Sequence, residues 1–157
     1  MSLFQKRQII LFFGFLGSIS FFTLDQHLKW KALLFPSHNI FGDFFRFQFV
    51  KNPYIAFSIP LSGKILFFVI SCIIVFLIFW LILSLKKQKI YQSIFFIIII
   101  FGAISNLLDR ANFGYVIDYL DLKYFTVFNV ADIMISVGFI FLIVLNYLET
   151  KKEGSII

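Results

Sequence analysis

Polar and apolar residues alternate along this chain in long blocks. Charge-free stretches run over residues 8–24, 65–85 and 90–108, and a fourth over 130–148 is broken only by Asp132. Each approaches the ~20 residues that a helix needs to cross a bilayer. Helices are expected because hydrocarbon cannot satisfy an open backbone. The pattern predicts spans over about 8–28, 64–85, 90–109 and 129–148. Only Lys86-Lys87-Gln88-Lys89 separates the second from the third, which predicts a tight helical hairpin. Between spans one and two, Phe45-Arg46-Phe47-Gln48-Phe49 alternates with period two and reads as a half-buried strand. Asn52-Pro53 and residues 58–63 mark turns around it. Residues 111–128 form a second segment on the same side. No internal repeat or linker divides the chain. The expected architecture is an all-α membrane protein in one domain, 1–157, with four spans and a small β-containing segment at the outer face.

Composition agrees. Of 157 residues, 61% are hydrophobic, and the mean hydropathy is +0.95. A soluble domain of this size cannot hide that much apolar surface. The net charge of +6 is carried at the ends of apolar runs, which suits membrane anchoring rather than a basic stripe for nucleic acid. Lys6 and Arg7, the 86–89 turn, and Lys151 and Lys152 fall on one side if the spans alternate. The positive-inside rule makes that side, with both termini, cytoplasmic. Cys72 is the sole cysteine, so an internal disulfide is impossible. His27 and His38 form no HExxH pair, and no metal site is expected. The first apolar run ends in TLDQHLK, without a small-residue cleavage site, and reads as a retained anchor.

The remaining polar residues converge. Asp25 and Lys29 lie at the outer end of span one, four apart on one helix face, where they can pair. Asn106, Asp109 and Arg110 lie at the outer end of span three, and Gly102 shares a face with Asn106 and allows close helix approach. Asp118 lies in the second outer segment. Asn129 and Asp132 open span four from the same side, three residues apart. Such groups also serve as interface anchors and interhelical glue, and for Asp25, Lys29, Asn106, Asp109 and Arg110 that reading stays open. Asp132 is harder to explain so, because a carboxylate below the interface needs a partner or a proton. Two carboxylates at one site share a proton, which is aspartic-protease chemistry.

Blocks of sequence then resemble a known family in its order. They are Asp25-Gln26-His27-Leu28-Lys29, Asn52-Pro53-Tyr54-Ile55-Ala56-Phe57-Ser58, Gly102 to Arg110, Gly114-Tyr115-Val116-Ile117-Asp118-Tyr119, and Phe128-Asn129-Val130-Ala131-Asp132. Together they resemble bacterial lipoprotein signal peptidase, signal peptidase II, over nearly the whole chain. Tyr54, Phe101 and Ser105 stand where that family commonly has glycine, and Tyr119 where it has phenylalanine.

The resemblance implies a membrane aspartyl endopeptidase that cuts diacylglyceryl-modified prolipoproteins before the lipidated cysteine. It implies Asp118 and Asp132 as the catalytic pair. Asn52, Gly102, Asn106, Arg110 and Asn129 would bind substrate or brace the pair, and Asp25, Lys29, Asp109 and Ala131 would support them. Arg110 is expected to pair with Asp109. No cofactor is implied. The partners would be the lipidated substrate and membrane lipids, with no nucleic acid, and the chain would be a monomer of the bacterial cytoplasmic (inner) membrane with its site at the outer face. Three rival readings are a serine–lysine peptidase built on Ser58 or Ser62 with Lys64, an ion-coupled carrier, and a structural membrane scaffold, which would not explain two acids with asparagines beside them. The first needs a dry lysine. The second needs polar groups through the membrane's depth.

Overall fold

A computed structural model describes residues 1–35, 37–54 and 63–154 of the chain. Its order is α1 (Leu3–Leu34), β1 (His38–Phe41), β2 (Phe45–Asn52), α2 (Gly63–Lys86), α3 (Ile90–Phe113), β3 (Val116–Leu122), β4 (Val127–Phe128) and α4 (Val130–Gly154). All four helices are long and apolar enough to cross a membrane.

The helices run past the expected spans because local signals, not hydropathy, end them. Ser2 caps α1, with its hydroxyl accepting from the Gln5 backbone while the Gln5 side chain returns to the Ser2 N–H. This capping box starts the helix ahead of Lys6 and Arg7. At 32 residues α1 rises about 48 Å, more than the ~30 Å hydrocarbon core. Asp25 and Lys29 therefore sit within a continuous helix. Gly114 stops α3 at φ 80°, donating its N–H to the Arg110 carbonyl; the left-handed turn suits a residue without Cβ. Lys151 and Lys152 lie in the last turn of α4, where cations complement the helix dipole.

Helix α3 is central and packs against α1, α2 and α4. A Cβ placed on Gly102 would lie 2.7 Å from the Ala131 carbonyl oxygen. Glycine there lets α3 and the start of α4 touch backbone to backbone. Leu77, Ile99, Ile100 and Leu142 fill the apolar interior between the helices. Most remaining large side chains, such as Phe12, Phe68 and Ile143, face outward, as helices solvated by lipid require.

One four-stranded antiparallel sheet, in the order β1-β2-β3-β4, lies at one end of the helices. The expected strand at Phe45–Phe49 forms and continues to Asn52. Segment 111–128, for which the sequence pattern names no element, supplies the last turn of α3, then β3 and β4. Strand β3 is flanked by strands on both sides and buried through Val116, Ile117, Asp118 and Tyr119. A strand covered on both faces has no polar–apolar alternation to betray it. Ala32 of α1, Phe47, Ile117 and Tyr119 form the core that fastens sheet to helices.

Candidate active site

Two polar layers lie where the sheet meets the helices. The deeper one is built around Lys29. Its Nζ is 2.8 Å from Asp25 Oδ2 and 2.8 Å from Asp109 Oδ2, and it donates to Asn106 Oδ1 at 2.9 Å. Asp25 and Lys29 pair as their spacing predicts, and Asp109 completes the cluster. Asp25 also accepts from Ser105 Oγ at 2.6 Å, Tyr119 Oη at 2.8 Å and the Ala131 N–H at 3.1 Å. Asp109 accepts the Ile117 N–H at 3.2 Å, which ties α3 to β3.

The expected Arg110–Asp109 pair does not form, because Lys29 takes Asp109. Arg110 donates instead to the carbonyls of Asn106, at 3.1 Å, and Tyr54, at 2.9 Å. Its Nε is buried with no hydrogen-bond partner among the described residues.

The second layer holds both suspect aspartates. Asp118 Oδ1 accepts from Asn129 Nδ2 at 2.8 Å and Oδ2 from Asn52 Nδ2 at 2.9 Å. Asn52 reaches it diagonally across the sheet, since Val50 is paired with Asp118 and Asn52 with Val116. Asp132 Oδ1 accepts from Asn106 Nδ2 at 2.8 Å, and Oδ2 accepts the Asn129 N–H at 3.1 Å. The Asp132 N–H returns to Asn129 Oδ1 at 2.8 Å. Asn129 and Asp132 thus form a reciprocal capping box that starts α4. Asn129 Nδ2 also approaches Asn106 Oδ1 at 3.1 Å.

These donors set one another's direction. Lys29 can only donate, so the Asn106 oxygen faces it and the Asn106 amide nitrogen faces Asp132. The same oxygen accepts from Asn129 Nδ2, which leaves the Asn129 oxygen for the Asp132 backbone. Asn129, fully buried, therefore touches both aspartates. Neither aspartate joins an ion pair among the described residues. Burial, reinforced by the nearby Asp132 carboxylate, pushes Asp118 up to about 7 against the opposing bonds from Asn52 and Asn129. Two carboxylates so placed can split acid and base roles near neutral pH.

A family model described as signal peptidase (SPase) II matches residues 18–148. The chain belongs to the signal peptidase II family. The lipoprotein signal peptidase of Caldanaerobacter subterraneus subsp. tengcongensis is 38% identical over 137 residues, covering 83% of this chain and 91% of that protein. That of Enterococcus faecalis is 34% identical over 159 residues, covering 96% and 97%. A bacterial membrane enzyme structure solved by the in meso method at 2.3 Å resolution aligns with a TM-score of 0.72 at 21% identity, over 97% of this chain and 93% of that one, and so shares the fold. The family's activity is removal of signal peptides from prolipoproteins by an aspartic endopeptidase in the bacterial inner membrane, and this chain carries that assignment.

Every site residue expected from sequence lies in the two layers or directly against them; Gly102 and Ala131 enter through their backbone contact. Ile55-Ala56-Phe57-Ser58 and the turn at 58–62 lie outside the described residues. Sequence reading missed the roles of Ser105 and Tyr119 on Asp25, and of Gln26, whose Nε2 donates to Ser105 Oγ at 2.7 Å. Ser105 was within reach, since it lies four residues before Asp109 on the polar face of α3. Nothing in the sequence distinguishes Tyr119 from an ordinary apolar strand position. Asp121 was missed too. It takes Arg46 and Gln48 at 2.8 and 2.7 Å and locks β2 to β3.

Proposed function

We propose that Asp118 and Asp132 are the catalytic dyad, and that the substrate is a prolipoprotein whose cysteine already carries diacylglyceryl. The observation that carries this reading is Asn129, which holds both carboxylates at once. One ionised carboxylate takes a proton from water, and the hydroxide attacks the carbonyl carbon of the residue before the lipidated cysteine. The protonated carboxyl delivers its proton to the carbonyl oxygen. Collapse of the tetrahedral intermediate breaks the C–N bond as the proton taken from water passes to the cysteine nitrogen, and one hydroxyl proton of the intermediate returns to the second carboxylate, which restores the shared proton. Either aspartate can fill either role, because coupled carboxylates titrate as a pair.

Asn52, Asn106 and Asn129 orient the dyad. Arg110, with a buried donor in reserve, suits a substrate carbonyl. The diacylglyceryl chains lie against the apolar helix faces below the sheet. The chain acts as one monomeric unit, with both termini cytoplasmic and the dyad at the outer face. That orientation rests on Lys6, Arg7, the 86–89 turn, Lys151 and Lys152 all lying at the end away from the dyad.

Two rivals fare worse. Lys64 is exposed, so it lacks the dry pocket that a serine–lysine pair needs. A carrier needs polar groups along its path, yet between Ser93 and Ser105 the buried face of α3 is Ile99, Ile100, Gly102 and Ala103.

The test is cleavage of a diacylglyceryl-modified prolipoprotein by purified protein in lipid. Wild type is expected to cleave, while Asp118→Asn and Asp132→Asn, still folded, lose about a thousandfold or more. Near-normal cleavage by both variants would remove the dyad. Ion flux into proteoliposomes without cleavage would favour the carrier.

A further inference from the structure

Strand β3 carries Asp118 and helix α4 carries Asp132, so the geometry between the two elements sets the geometry of the pair. On the dyad side, Asn129 Nδ2 bridges to Asp118. Tyr119, the next residue of β3, points to the opposite face of the strand and is fully buried. Its hydroxyl accepts the Val130 N–H at 3.1 Å and donates to Asp25 Oδ1 at 2.8 Å. Asp25 Oδ1 in turn accepts the Ala131 N–H at 3.1 Å.

A helix start leaves four N–H groups without intrahelical partners. At α4 these belong to Asn129, Val130, Ala131 and Asp132. The capping box satisfies the first and last. Tyr119 and Asp25 satisfy the middle two. Burial pushes the phenol far above its usual range, so the hydroxyl stays a neutral donor at any working pH.

We propose that the Tyr119 hydroxyl is a positioning residue, which pins the first turn of α4 to β3 and thereby holds Asp132 in register with Asp118. This rests on those two aspartates being the reacting pair. Tyr119 touches neither substrate nor reacting atoms; it acts through the helix start. Beyond the β3–β4 pairing that leads into α4, Asn129 is the side-chain tether on one side of the strand, and Tyr119 adds the second on the other. Two tethers fix a tilt that one leaves free, and a misplacement of an ångström at a reacting group can cost about a hundredfold in rate.

The test breaks the Tyr119–Val130 hydrogen bond from either end. Tyr119→Phe deletes the acceptor of the Val130 N–H together with the donor to Asp25 Oδ1, and keeps the ring. Val130→Pro deletes that N–H, at the first helical position, where proline is favoured and its missing donor costs least. Steady-state cleavage of lipidated prolipoprotein is measured for each variant and for the double variant, on the folded monodisperse fraction, with Tyr115→Phe as the control for loss of a phenol elsewhere. Each single variant is expected to lower kcat by about tenfold with KM within about twofold, the double variant no further, and Tyr115→Phe not at all.

Unchanged kcat in both single variants overturns the proposal. So does a multiplicative loss in the double variant, because two independent defects would then be at work. A fall in melting temperature with kcat intact makes Tyr119 a packing residue only. If Tyr119→Phe yields no folded protein, Val130→Pro alone decides. If wild type fails to cleave, the proposed function fails instead, and that result is read from the same assay.

Discussion

A lysine meets carboxylates at both ends of the helices, with opposite consequences. At the end that holds Asp118 and Asp132, Lys29 is 2% exposed and lies 2.8 Å from Asp25 and 2.8 Å from Asp109. At the other end Lys89 reaches Glu149 at 2.5 Å, but the two side chains are 38% and 41% exposed. Contact distance does not separate them; solvent does. A water-facing pair loses little when broken, since water replaces the partner. A buried pair broken on one side strands a charge. Lys29→Met leaves two buried carboxylates facing each other, and its expected cost is about 3–5 kcal/mol. The measurement is the yield of monodisperse protein and its thermal unfolding in detergent. Retention of the wild-type melting temperature would mean that the cluster is not the brace its geometry indicates.

Glycine positions sharpen the same contrast. At Gly102 a new Cβ meets the Ala131 backbone oxygen at 2.7 Å, and backbone cannot swing aside. At Gly17 a Cβ meets nothing within 4 Å. Gly102→Ala must push the first turn of α4 away from α3 and carry Asp132 with it. Cleavage is expected to fall about ten- to a hundredfold, by the sensitivity of reacting groups to small displacements. Gly17→Ala is expected to keep full activity and, by helix propensity, gain up to about 1 kcal/mol. Equal activity of both variants in one cleavage assay would refute close backbone contact at Gly102.

Titration separates the site from the surface in another way. Asp118 is raised from 3.8 to about 7 by burial and by Asp132. A raised group favours folding most when protonated, below its unfolded value, and that contribution is lost as pH rises through its folded value. Wild-type stability should therefore decline between about pH 4 and 7 relative to Asp118→Asn, which has no charge to bury, with the gap level above pH 7. Activity should turn at the same value from the other side: kcat/KM falls above about pH 7 as the proposed pair loses its last proton. Parallel melting temperatures for both proteins across pH 4–8 would contradict the burial seen for Asp118.

The spans, the lysine-rich ends and the convergence of Asp25, Asn106, Asp118 and Asp132 are legible in sequence because lipid makes every polar residue conspicuous. Strand β2 is legible for a related reason, since one face is drier than the other. Strand β3 is not, as Val116 to Tyr119 are dry on both. Partner choice is also hidden. Spacing alone puts Arg110 beside Asp109, and only the third dimension shows Lys29 arriving from α1 to displace it. Tyr119 is the extreme case. Its ring belongs to the core with Phe47 and Ile117, and its single polar atom finds partners 94 and 11 residues away in sequence.

The smallest effect is expected where sequence and structure agree most simply. Lys89 fills the short turn between α2 and α3, and Glu149 lies on α4 among the cations of the far end. Their contact crosses from turn to helix, yet both side chains remain partly exposed. Screening and side-chain entropy offset most of its attraction. Removing it with Lys89→Met or Glu149→Gln should change stability by less than about 1 kcal/mol and leave cleavage at the wild-type level. The two single variants should match the double variant in melting temperature. A loss of several degrees in Lys89→Met alone would mean that this end is also braced by charge. The contrast with Lys29 would then rest on something other than exposure.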